Sequence, residues 1–423
     1  MKKTSIPESI ARLMPDNKDA IARSIRANLR TYSMVVALVV IWILFSILTD
    51  GVFFESRNLS NLVRQMVLIA ILAIGMVPVI VTGNIDLSVG SVVGFVSVVV
   101  AYCQFFIFPG FLGEMLPAFQ AQTTFVGVET SINGVISTVL SVFVALLVGL
   151  LVGLWHGTLI AYLRIPAFIV TLAGFLGFRG AVLLVSGGRT IGPVENTLVS
   201  IGQGYVPKTF GLVLGFVVVA CVFAVILWER KQKFKYGFDK YSIFKDLFKA
   251  GVISSVVLFY VIHIANGYEG IQNPVLLMVI ILVVFNYLTK NTRFGRYIYA
   301  YGGNQEATRL SGINTRAVVF KVFILMGILC ALCGVVLTGY VSAGTTTGGT
   351  LYELQTIAAC VIGGTSLMGG EGTVGGAVVG ALVMGSLNNG MDLLGWTTAK
   401  QMVVQGLVLV VAVYVDVSSK RKR

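Results

Sequence analysis

The chain has 423 residues, of which 12% are Asp, Glu, Lys or Arg and 56% are aliphatic, aromatic or cysteine. Soluble domains carry about 25% charged residues to cover their surface, so a water-soluble globule is excluded, and lipid is the solvent that removes the need for that cover. The net charge of +13 does not indicate nucleic acid, because the basic residues fall in short clusters between apolar runs and not on one continuous surface.

Residues 1–30 hold seven Lys/Arg and read as a cytoplasmic arm, with an amphipathic helix near Ile10 to Ile25. No secretory leader is expected, because this polar stretch precedes the first apolar run. Apolar segments then lie near 31–49, 62–82, 87–108, 133–162, 166–186, 209–228, 250–265, 274–289, 317–343, 355–368, 373–390 and 400–416. A helix of ~20 residues crosses the hydrocarbon layer, so the pattern predicts an all-α transmembrane bundle of about 10–12 spans. The runs 250–265 and 355–368 are short enough to be tilted or re-entrant. The expected organisation is an arm (1–30), a permease-like membrane domain (31–416) and a basic tail (417–423).

Charge placement orients this bundle. With the N-terminus inside, the inside segments (1–30, the turn at Arg164, 229–249, 290–316 and 417–423) hold 24 Lys/Arg. The outside segments (50–61, 109–132, 187–208, 265–274, 344–354 and 391–399) hold three: Arg57, Arg189 and Lys208. Lys and Arg accumulate in cytoplasmic loops, so both termini are expected in the cytoplasm.

The 48 glycines concentrate in the apolar segments, and the stretch Gly363 to Gly372 cannot be ordinary helix. Glycine in a membrane bundle allows close helix packing or marks a break that lines a cavity. Five cysteines sit inside or at the edge of apolar runs; Cys330 and Cys333 have redox-pair spacing but no second pair or nearby histidine, so they read as small packing residues.

Asn84, Asp86 and Ser88 interrupt a long apolar stretch. Acidic groups near membrane depth usually face a bundle interior or water, which makes these three candidates for a translocation path. Asp86 equally suits the N-cap of a helix starting near Leu87. Arg179 lies inside the fifth apolar run, where it needs a partner (Asp86 or Glu195) or a substrate. Arg64 is expected to snorkel to a membrane edge. His156 and His263 are isolated in sequence from acidic clusters, and no relay of titratable groups is evident. No metal or catalytic set is expected. There is no P-loop, Gly-x-Ser-x-Gly or His-Glu-x-x-His motif. The chain therefore reads as a transport subunit and not an enzyme, with energy supplied by another subunit if transport is active.

Between two apolar runs lies Tyr301-Gly-Gly-Asn-Gln-Glu-Ala-Thr-Arg-Leu-Ser-Gly-Ile-Asn314. Asn304 suits an N-cap, residues 305–310 favour helix, and Gly312 suits a stop. This is either a knob that docks into a partner or an ordinary interfacial helix.

That stretch resembles the cytoplasmic coupling segment of ribose-, galactose- and xylose-type permeases of bacterial ABC importers. Residues 83–94, 165–188 and 358–395 are similar to further blocks of that family, in the expected order, although the family more usually has glycine where this chain has Asn84. The resemblance implies a type II importer-like permease in a bacterial plasma membrane. It further implies a separate ATPase that uses ATP–Mg, a periplasmic or lipid-anchored sugar-binding protein and a second permease subunit, with no cofactor bound by this chain. Gly303, Asn304, Glu306, Ala307, Arg309, Ser311 and Gly312 would belong to the ATPase-docking segment. Residues 229–273, a basic loop and an extra hairpin, make the chain similar to the xylose and multiple-monosaccharide branch. Twelve spans also suit a major-facilitator carrier, but the second turn carries no Lys or Arg. Nucleoside importers share much of the pattern.

Overall fold

A computed structural model describes residues 29–115, 122–125, 128–235 and 243–421. Nearly all of the expected N-terminal arm with its helix, the middle of the 229–249 loop and the last two residues lie outside them.

The chain begins with α1 (Leu29–Leu48) and α2 (Ser56–Val81), followed by α3 (Val89–Tyr102), which continues through a π-turn into α4 (Phe108–Met115). A hairpin, β1 (Gln122–Phe125) and β2 (Val128–Ser131), leads into α5 (Ile132–Gly157); then come α6 (Ala167–Ser186), α7 (Asn196–Gln203) and β3 (Tyr205–Val206). The inserted hairpin is α8 (Lys208–Lys235) and α9 (Ile243–Phe259), closed where β4 (Ile271–Gln272) pairs antiparallel with β3. The remainder is α10 (Asn273–Asn291), α11 (Arg293–Gly303), α12 (Gln305–Leu310), α13 (Thr315–Val341), α14 (Tyr352–Ile362), α15 (Val374–Leu393) and α16 (Thr398–Arg421). Among the described residues, nine helices are long and apolar enough to cross a membrane, and three shorter apolar helices accompany them. Together these account for the twelve apolar segments.

Side-chain caps set several starts. Ser131, Thr292, Asn304, Asn314 and Thr373 each accept a hydrogen bond from the backbone N–H three residues on, satisfying donors that a helix start leaves open. α2 is almost wholly buried and forms the centre with α3, α13, α14 and α15. The outer helices α6 and α8 present Leu176, Leu184, Phe210, Phe216 and Trp228 outward, as lipid-facing surfaces do. Glycine sets the α5–α13 crossing: a Cβ on Gly149 would stand 2.3 Å from the Gly327 carbonyl, so only backbone fits there.

Two segments are not simple spans. α14 has eleven residues, about 16 Å of helix at 1.5 Å per residue, half the hydrocarbon layer. The run expected at 355–368 is therefore a half-helix. Gly363 and Gly364 end it, and Gly364, Gly369 and Gly370 all adopt positive φ, which folds 363–373 into turns. The rest of that crossing is irregular backbone, residues 342–351, bounded by left-handed Ser342 and Leu351. It runs along α3, with Gly344 against Val98 and Ala101, Gly348 against Gly94 and Gly349 against Gly90. α3 also follows a break, in which Gly83 turns the chain with φ +72 before residues 84–87 climb back. Unwound backbone at membrane depth is tolerated only where protein or a cavity surrounds it. α11 and α12 lie on the face where α2 ends: the Val81 carbonyl accepts from Gly370 N at 2.9 Å and packs on Gly302. We refer to this as the basic face.

Candidate functional site

Two helix starts meet inside the bundle. A Cβ on Gly90, in the first turn of α3, would lie 2.2 Å from Glu353 Oε2 and 2.4 Å from the Gly349 carbonyl; one on Gly349 would lie 2.1 Å from the Gly90 carbonyl. The N-termini of α3 and α14 thus abut, and their unsatisfied N–H groups make this a locally positive region. Glu353, in the first turn of α14, is 6% exposed. Its Oε2, Ser91 Oγ and Thr356 Oγ1 are buried with no hydrogen-bond partner among the described residues. Discontinuous helices with polar groups at the break are how many transporters build a substrate path.

Arg179 projects from α6 to the same region. It pairs with neither of the partners expected for it: Nη1 donates to the carbonyls of Gly348 (3.0 Å) and Thr346 (3.3 Å), and the carboxylate acting on it electrostatically is Glu353. Glu195 instead sits over Gly134 at the start of α5. The irregular segment leaves carbonyls without ladder partners, and a guanidinium with several donors satisfies two of them.

Asp86 is not the N-cap expected of it, because α3 starts two residues later than expected. α3 has Ser88 at its N-cap, and Asp86 Oδ1 accepts from Ser88 N (2.8 Å) and Ser88 Oγ (2.6 Å). Thr171 Oγ1 ties α6 to this turn through the Ile85 carbonyl at 3.3 Å. His156, isolated in the sequence, is buried within electrostatic range of Asp86. Arg64 donates to the Tyr205 hydroxyl and lies 5.0 Å over that ring, in the segment 187–208 that charge placement puts outside. All five cysteines are free, four of them buried, as packing residues would be.

The second constellation is on the basic face. Asn304 Oδ1 accepts from Ala307 N at 2.8 Å, and Gly312 has φ +79, so the short helix starts and stops where its sequence signals lie. Ser311 Oγ donates to the Ala307 carbonyl at 2.9 Å. Arg309 clasps Glu306 through Nε (3.0 Å) and Nη2 (2.5 Å). The hydrogen bond from Arg309 holds the Glu306 carboxyl below its usual range, and the same bond holds the guanidinium proton more tightly. Gly303 and Ala307 are exposed, and Leu310 stands 75% exposed at the tip. α12 is therefore a rigid projecting knob with a charged clasp and an apolar tip. Beneath it a cavity of about 910 Å³ is lined by Asn84, Tyr162, Arg164, Tyr301, Glu306, Arg309 and Arg316, among others. Asn84 and the α12 segment, two separate sequence signals, thus share one cavity, while Ser88 and Arg179 belong to the interior site.

A polytopic bundle with broken helices inside and a projecting helix on its basic face defines a membrane transport permease. Residues 58–413 match the family described as branched-chain amino acid transport system / permease component, and the chain belongs to that family. It is 38% identical over 398 residues to the xylose transport system permease protein XylH of Haemophilus influenzae, covering 93% of this chain and 98% of that protein. It is likewise 38% identical to XylH of Escherichia coli over 93% of both chains. It is 33% identical over 391 residues to the E. coli ribose import permease protein RbsC, covering 92% and 95%. No solved structure matches the chain. This membership replaces the major-facilitator alternative.

From sequence Arg164 is read only as an inside cation, and Arg316, Glu353 and residues 342–351 are not singled out as site residues. The only signal was the polar run Thr345 to Thr350, which hydropathy assigns to a loop.

Proposed function

We propose that the chain is the membrane-spanning subunit of a binding-protein-dependent importer that moves a monosaccharide, xylose or a similar pentose or aldohexose, by ATP-driven alternating access. Similarity to xylose permeases along 93% of the chain carries this reading. ATP–Mg is used by a separate ATPase that takes the α12 knob, through Gly303, Asn304, Glu306, Ala307, Arg309, Ser311 and Gly312. A sugar-binding protein delivers cargo to the opposite face. The basic face is cytoplasmic, as the 24-to-3 distribution of Lys/Arg supports, and the membrane is the bacterial inner membrane. Two copies of the permease form the pathway.

The abutting starts of α3 and α14 act as the moving part. Half-helices joined to irregular backbone change their mutual angle without breaking internal helix hydrogen bonds. Asp86 and Ser88 order the turn before α3, and Arg179 holds the carbonyls before α14. Asn84, two residues before Asp86, lines the cavity on the basic face.

The test is reconstitution with the ATPase and binding protein, measuring which sugars stimulate ATP hydrolysis and accumulate in vesicles. Pentose-dependent hydrolysis and uptake are expected. Stimulation by nucleosides alone would transfer the chain to another cargo, and uptake without the ATPase would overturn the mechanism.

A further inference from the structure

The cavity under α12 has a second wall that α12 does not supply. It is formed by the turn joining α5 to α6, with Tyr162, Arg164, Ile165 and Pro166, and its rim is completed by Arg316 at the start of α13. Glu306 is the one acidic side chain among the lining residues, and Arg309 already holds it. Arg164 and Arg316 therefore face the cavity exposed, without an acidic partner among the described residues.

Both arginines sit where local preference opposes them. Arg164 has φ +58, a left-handed conformation that favours glycine, and hydrogen bonds on either side fix it: Leu163 N to the Thr158 carbonyl and Ile165 N to the Leu159 carbonyl. Arg316 lies in the first turn of α13, where the helix dipole favours acidic residues and disfavours cations. Two departures from local rule converging on one cavity mark a site kept for binding. The charge left over is positive, so the complementary surface is acidic.

We propose that this cleft is a second grip for the ATPase subunit, receiving an acidic segment of that partner between Arg164 and Arg316 while α12 docks separately. The inference rests on the ATPase reading above. It has a mechanical corollary. Three residues after Arg164 begins α6, which carries Thr171, tied to the turn before α3, and Arg179, tied to the backbone before α14. A partner that holds Arg164 thus acts on the helix that braces both half-helix starts, whereas α12 acts on α13.

The test uses the whole importer in nanodiscs, with and without anionic lipid, and measures ATPase affinity for the permease. In neutral discs the double variant Arg164→Glu/Arg316→Glu is expected to bind the ATPase roughly tenfold more weakly at low salt, the scale of two reversed surface ion pairs. Its binding should also lose most of its salt dependence, while Arg164→Lys keeps both. Wild-type affinity of the double variant in both kinds of disc overturns the proposal. A loss confined to discs with anionic lipid also overturns it, by assigning the arginines to headgroups. Glu306→Lys separates the two levels: release of the ATPase by that variant but not by the double variant sinks only the second grip. Retention of the ATPase by both sinks the ATPase reading itself.

Discussion

Replacing Gly90 with alanine adds one methyl group where α3 and α14 abut. The new Cβ would stand 2.4 Å from the Gly349 carbonyl and 2.2 Å from a carboxylate oxygen of Glu353. The carboxylate could swing aside only by leaving a buried position, and the carbonyl belongs to backbone held by Arg179 through the neighbouring Gly348. Overpacking of this kind costs about 1–3 kcal/mol, and the fixed backbone neighbour places Gly90→Ala at the upper end. Gly251 in α9 is the control, since a Cβ there meets nothing within 4 Å. Exchange of an open helical glycine for alanine stabilises by up to about 1 kcal/mol. Thermal and SDS-titrated unfolding, followed by tryptophan fluorescence, should therefore separate the two variants by about 3–4 kcal/mol, Gly90→Ala below wild type and Gly251→Ala above it. Adding Glu353→Ala to Gly90→Ala should recover part of the loss, because the Gly349 carbonyl remains. If Gly90→Ala unfolds like wild type or like Gly251→Ala, the half-helix contact is not as tight as described.

On the basic face, Glu306→Lys or Arg309→Glu should abolish co-purification of the ATPase while leaving the amount of inserted permease unchanged; normal co-purification of both refutes the docking role. Asn304→Ala removes the cap of α12 and should weaken ATPase binding with a stability loss of about 1 kcal/mol, readable as faster amide exchange in residues 305–310. Tyr299→Phe deletes the hydrogen bond from its hydroxyl to the Gly372 carbonyl (2.8 Å) and should cost about 1 kcal/mol in the same unfolding assay. Because Glu306 is held below the ordinary carboxylate range, its clasp with Arg309 is complete above the ordinary value of about 4.3 and is lost only as pH falls through the lower folded value. ATPase binding measured between about pH 5 and 8 should accordingly show no step from this pair.

The short knob was fully legible because its signals are local: the Asn304 side chain accepts from the N–H three residues on, and Gly312 stops the helix by its own conformation. The spans were legible because lipid demands long apolar runs. The interior site was not. Arg179 finds its partners at Thr346 and Gly348, more than 160 positions away and in backbone atoms, which no side-chain pattern reports. Residues 342–351 are polar and glycine-rich, so hydropathy placed them outside, although neighbouring α3 lets them descend beside Gly94 and Gly90. Arg164 was legible only as the cation of an inside turn; its place in a site depends on Arg316 lining the same cavity.

The half-helix α14 carries a consequence for biogenesis. Eleven residues preceded by a run of threonine and glycine are too short to enter lipid as an independent span. The segment must wait until α2, α3 and α15 stand beside it, so this crossing is acquired by folding and not by insertion. Reporter fusions truncated just after residue 373 should fail to hold one topology, whereas fusions beyond α15 should hold it, which makes the C-terminal third of the chain the part whose orientation depends on completed synthesis.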